Sequence, residues 1–258
     1  MLHTEVVMSD QTKQSLYGES DANVGERVKP LGLMDLVSGV FSEPVELFKR
    51  LSIRPQWVGA MLLVTVLSLL FSIAWIVKVD AVGFMTMQIE RTYPQLTSAQ
   101  IDQAVEVGAR FMSISAIAGS LFGTLISIFF FGLLYWAVGL MSKEGPQWRP
   151  TYYHGLVVAA VPGLATVPYM LLGTVMAFLN PVGTLRPDQI VPSSLGYWME
   201  TDNPKLSALY SSIDLFLLTQ YVLIFFAVKY ALRAKTWGAA LCVALALLGV
   251  VIRVLFAK

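Results

Sequence analysis

One cysteine, Cys242, is all the sequence holds, so no disulfide can close within the chain and the redox compartment leaves no trace. Histidine is nearly as scarce: His3 and His154 stand too far apart to suggest a metal site. Charge is low too. Charged residues make up 14% of the 258, against about 25% in a soluble domain. Their near balance, a net +1, gives no basic surface for nucleic acid. Catalytic patterns are absent: no HExxH, no GxSxG, no Walker phosphate loop and no GxGxxG. Ser38 and Ser120 lie near glycines but have no histidine at a predictable distance, and His154, behind Tyr152 and Tyr153, reads as an interfacial anchor before a catalytic base. No enzyme, metal or cofactor is expected. The polar N-terminus has no apolar core, so a cleaved signal peptide is not expected either.

What the chain does have is apolar length. Hydrophobic residues reach 56% and mean hydropathy is +0.65, which points to an all-α polytopic membrane protein. Residues 111–141 carry no charge at all. As a helix they would run roughly 46 Å, more than the bilayer's hydrocarbon core of about 30 Å, so the span tilts or protrudes. Within it Ser115, Gly119, Gly123 and Ser127 recur every four residues, and Gly119-Ser-Leu-Phe-Gly123 forms a GxxxG. Small residues at that spacing let another helix approach closely in lipid. The partner is either a helix of the same chain or a second copy. Either way, the other spans are expected to pack against this helix.

Taken in order, residues 1–31 read as a polar cytosolic tail without apolar periodicity. Residues 32–55 show helical spacing on either side of Ser42-Glu43-Pro44, where proline marks a break and a new start. With Lys49, Arg50 and Arg54 nearby, they read as amphipathic helices whose apolar faces meet either lipid or the protein itself. Residues 56–258 then hold five spans, near 57–77, 111–141, 154–179, 206–228 and 237–257. Thr97 and Gln100 form a capping box that opens a helix leading into the second span. Pro162 and Pro168 each remove a backbone hydrogen bond, so the third span should kink or break before Asn180-Pro181 ends it. Asn203-Pro204 starts the fourth.

Of the 18 lysines and arginines, eleven fall on one side, clustered at Lys49, Arg50 and Arg54 and at Lys229, Arg233 and Lys235. The positive-inside rule places that side, and the N-terminus, in the cytoplasm, with the C-terminus outside. Asp214 and Arg253 then fall inside the fourth and fifth spans near the outer leaflet, where pairing would offset part of the cost of burying each. Gln220 is a third polar group near mid-membrane. The set is either a register-fixing pair or a coupling site at which Asp214 changes protonation.

The segment Phe41-Ser-Glu-Pro44-Val-Glu-Leu-Phe48-Lys-Arg-Leu51-Ser-Ile-Arg-Pro55-Gln-Trp57 resembles the entry segment of bacterial YIP (Ypt-interacting protein) family members. The capped-helix loop, the proline-bearing third span and Ser212-Ile-Asp214-Leu-Phe216 resemble the family's later parts. The resemblance implies five membrane helices with a cytosolic N-terminus, in the bacterial cytoplasmic membrane. Eukaryotic relatives bind Rab GTPases through traffic roles, and some bacterial relatives are thought to assist ABC-type exporters. No long acidic N-terminal domain precedes the first span, which turns the expectation from GTPases towards other membrane proteins. The leading expectation is a non-enzymatic adaptor or assembly factor whose partners are the lipid bilayer, other membrane proteins such as an ABC-type exporter, and a second copy. The rival is a small transporter or lipid-handling protein with a pathway lined by Asp214, Gln220 and Arg253.

Overall fold

Apolar side chains on nearly every face of a helix have two places to go, lipid or a neighbouring helix, and the structure shows both. A computed structural model describes residues 29–179, 182–199, 201 and 203–257, and the regular elements in these residues are all helical. Two short helices come first, α1 (Leu33–Ser42) and α2 (Pro44–Ile53), with Pro44 at the first position of the second. The first span is α3 (Val58–Lys78). Then α4 (Ala81–Thr92), N-capped by Asp80, forms a hairpin with α5 (Ser98–Ala118). The capping box at its start is present, the Thr97 N–H donating to Gln100 Oε1 at 3.0 Å.

α5 continues through a π-helical turn, Gly119–Gly123, into α6 (Thr124–Ser142). Together they make one helical run of 45 residues, about 67 Å and so more than twice the hydrocarbon thickness. Its charged residues, Asp102, Glu106 and Arg110, all fall in the first half. The π turn falls on the GxxxG, where glycine's weak helical preference lets the hydrogen-bond register slip. Ser120 bonds across to Ser72 there.

The third span is broken as its prolines require. α7 (Tyr152–Ala160) passes into a 3-10 stretch, Val161–Thr166, containing Pro162, and resumes as α8 (Val167–Leu179), in which Pro168 occupies a tolerated first-turn position. The end expected at Asn180-Pro181 lies outside the described residues. After the loop, with short helices Pro187–Gln189 and α9 (Leu195–Trp198), come α10 (Pro204–Ser212), α11 (Leu215–Tyr230) and α12 (Thr236–Phe256).

Two expectations need correction. The fourth span does not run unbroken from 206 to 228: it divides at Ile213 and Asp214, because the Asp214 side chain caps a fresh helix. Among the described residues four helices are long and apolar enough to cross a membrane, and α11, with 16 residues, is shorter. The centre of the bundle is the third span rather than the second. Its most apolar window is 61% buried, against 11% in the Ser98–Ser142 run. The reason is local. Gly155 in α7 lies against Gly132 in α6, and the 3-10 stretch receives both α1 and α11. Leu156, Val157, Val161 and Leu164 thereby become fully buried. The N-terminal helices join this core through Leu36, Val40, Leu47, Phe48 and Leu51.

Candidate functional site

Polar clusters stand at the two ends of the bundle, with a cavity between. At the end carrying the Lys143, Lys229 and Lys235 turns, His154 is 6% exposed and uses both ring nitrogens. The Thr151 N–H donates to Nδ1 at 3.1 Å, so Nε2 carries the proton and donates to the Ser52 carbonyl at 3.0 Å. That carbonyl belongs to the last turn of α2, which has no intrahelical partner to offer it. Trp148 packs edge-on to the imidazole, donates from Nε1 to the Leu232 carbonyl at 2.8 Å and lies under Arg233 at 4.0 Å. Arg233 holds a left-handed φ of 49°, ending α11. His154 therefore fastens α2 to the third span instead of anchoring at an interface.

At the opposite end, Asp214 and Arg253 have separate partners. Asp214 is 5% exposed. Its Oδ1 accepts from the Phe216 and Leu217 N–H groups at 2.8 and 3.1 Å, and its Oδ2 accepts from the Ser193 hydroxyl. The Leu215 N–H donates to the Ser193 carbonyl and the Leu195 N–H to the Ile213 carbonyl, so the loop pins the break in the fourth span. Three donors and the positive end of α11 satisfy the carboxylate without any arginine.

Arg253 instead reaches Asp188, Nη2 to Oδ2 at 2.7 Å. Arg186 grips the same carboxylate from Nε at 2.9 Å and from Nη2. Burial alone would raise the Asp188 carboxyl, but the hydrogen bonds and charges of Arg186 and Arg253 outweigh it and hold it below the ordinary aspartate value. Asp188 was missed as a partner for Arg253, although an aspartate two residues from Arg186 was a legible sign of a local clamp. Tyr169 lies between the two groups, its hydroxyl donating to the Pro187 carbonyl at 2.9 Å, within electrostatic reach of Asp188, Asp214 and Arg253.

Gln220 stands apart from both. It lines a cavity of about 360 Å³ inside the bundle with Thr124, Ser127, Thr166 and Tyr221. A larger cleft of about 950 Å³ opens between α4, the loop and the ends of α10 and α12, and Arg253 lines it. Asp214 lines neither. The small-residue row is also divided. Ser120 and Thr124, beside it, face α3 or the inner cavity, while a Cβ added at Gly119 or Gly123 would meet nothing within 4 Å. In the entry segment, Phe48 is fully buried, Phe41 is exposed, and Trp57 packs edge-on against Phe129. Pro44 opens α2, and Pro55 follows its end.

Among the described residues no group of three or more His, Cys, Asp or Glu side chains comes together as a metal site. The arrangement is one of long apolar helices with polar clamps at both ends. The model of the Yip1 domain matches residues 38–257, nearly the whole of that arrangement from the middle of α1 to the end of α12. The chain belongs to the Yip1 family. It is thus a membrane protein of the Yip1 type, a family not known for enzymatic activity. Against curated proteins and against solved structures, the chain has no match.

Proposed function

We propose that this Yip1-family protein acts by contact, as a non-enzymatic membrane adaptor or assembly factor, with an ABC-type exporter among the partners it would serve. The carrying observation is the outward face of the second span. Gly119 and Gly123 are open, and Phe122, Ile126, Phe129 and Phe130 are exposed beside them. An exposed small-residue groove flanked by large apolar side chains suits a second transmembrane helix. The same reading takes α11 with α10 as a fifth crossing, the basic end as cytoplasmic, and the membrane as the bacterial cytoplasmic membrane. Asp35, Glu46, Lys49 and Arg50 lie exposed on α1 and α2, away from the core, which supports an interfacial position for these helices.

The experiment is purification of the full chain in mild detergent, alongside a Gly119→Leu, Gly123→Leu variant, with identification of co-eluting proteins. The native chain should retain membrane partners that the variant loses. Two differently tagged copies co-eluting only in the native form would make the partner a second copy. A lone species that moves solute in liposomes, with the variant equally active, would end the contact reading. The cavity at Gln220 favours one rival, a small transporter or lipid-handling protein. That rival loses two of its three expected lining residues, since Asp214 and Arg253 lie elsewhere.

A further inference from the structure

Among the described residues that line it, the larger cleft holds three cations and one carboxylate. Three guanidinium groups line it, Arg91 from α4, Arg186 from the loop and Arg253 from α12, with Asp188 as the facing acid. Asp188 takes Arg186 by two hydrogen bonds but Arg253 by one. A guanidinium carries five N–H donors, and the Arg253 side chain is 44% exposed, so donors remain turned to the cleft. Arg91 has no ion pair among the described residues. Glu200 and Asp202, which flank the lining residue Thr201 in sequence, lie outside the described residues.

The depth of the cleft is set by α12. That helix has 21 residues, about 31 Å, close to one hydrocarbon thickness, so its last turn with Arg253 and Phe256 stands where acyl chains give way to headgroups. Phe84, Met85 and Phe256 supply an apolar wall beside the three arginines. A volume of about 950 Å³ is at the upper end of the range for small-ligand sites. Arginine forks are suited to phosphate oxygens, two donors to two acceptors.

We propose that this cleft binds a phosphate-bearing anion, with the headgroup of an anionic phospholipid as the occupant whose polar and apolar parts both fit. The site is independent of the contact reading, which rests on other residues, Gly119 and Gly123 of the second span. The test uses the purified full chain in dodecyl maltoside, followed by thermal unfolding against added phosphatidylglycerol, phosphatidylcholine and inorganic phosphate. Phosphatidylglycerol should raise the melting temperature, and phosphatidylcholine should not. Arg91→Ala breaks no ion pair among the described residues, so it should melt like the native chain without lipid yet need about tenfold more phosphatidylglycerol for the same rise. Arg253→Lys should weaken the effect while keeping a cation beside Asp188. Lys235→Ala, at the other end of the bundle, should leave it unchanged. Inorganic phosphate matching the lipid would support the site with a free anion as its source. Equal stabilisation by phosphatidylcholine, or a phosphatidylglycerol effect that survives Arg91→Ala and disappears in Lys235→Ala, would overturn it.

Discussion

Asp214 shows what a buried acid does when its neighbours are backbone amides. Removing it by Asp214→Ala leaves the first turn of α11 and the Ser193 hydroxyl unpaired, and should cost about 2–3 kcal/mol. Asp214→Asn keeps the Oδ1 cap and should cost under about 1 kcal/mol. Thermal unfolding in detergent checks both. Exchanging the charges, Asp214→Arg with Arg253→Asp, should not recover stability, since neither residue touches the other; full recovery would overturn the assignment. Asp188 contributes acid sensitivity. Its folded-state value is depressed, so its contribution is complete above the unfolded value of about 3.9 and disappears as pH falls through the lower folded one. Unfolding followed below pH 4 should therefore show a loss of stability that Asp188→Asn abolishes, with no change from this group above pH 5. At this scale the sequence was half legible. Charge in the fourth and fifth spans announced polar partners, but the partner of Arg253 lies 65 positions away in a loop without periodicity, and Asp214 finds two of its three donors in backbone.

Among the elements, the glycine that matters for packing is not where the GxxxG stands. A Cβ on Gly155 would sit 2.2 Å from the Gly132 carbonyl oxygen, and backbone cannot move aside as a side chain can. Gly155→Ala should thus cost about 3 kcal/mol or more, whereas Gly119→Ala should be neutral or slightly stabilising. Paired melting curves decide it; equal melting temperatures would contradict the close approach of α6 and α7. Spacing puts Ser115, Gly119, Gly123 and Ser127 on one face of a regular α-helix, but the chain takes a π-helical turn at Gly119–Gly123, and Ser127 lines the inner cavity while the two glycines stand open. Nor could spacing say which face meets a neighbour, because Gly132 and Gly155 become partners only through the turn that brings α6 beside α7. Helix ends were more readable, since the signals are local. The capping box at Thr97, the proline break at Pro162 and the start at Asn203-Pro204 all occur where short-range chemistry places them.

For the whole molecule, the two N-terminal helices are part of the bundle and not an accessory. Phe48 and Leu51 are fully buried beside α11, with His154 holding the end of α2 in place. Phe48→Ala should lower the stability of the entire transmembrane core by about 3–5 kcal/mol. A helix resting on lipid alone would lose surface binding and leave the melting temperature unchanged, so the two arrangements give opposite readings. Composition alone was enough for membrane class and helical architecture, because few charges and long apolar runs admit few other solutions. The central place of the third span was hidden, since burial in lipid and burial in protein demand the same residues.

One dimension of the bundle reaches beyond it. α11 measures about 24 Å along its axis, some 6 Å less than the oily layer around it. If it crosses with its ends at the water boundary, the two leaflets must draw together alongside it or the polar break at Asp214 must sink beneath the surface. The first adjustment would put elastic strain into the lipid beside α11, and the second would leave α10 to complete the crossing. A flank strained in the first way prefers thin, easily compressed bilayers and attracts other inclusions that share the same pinch.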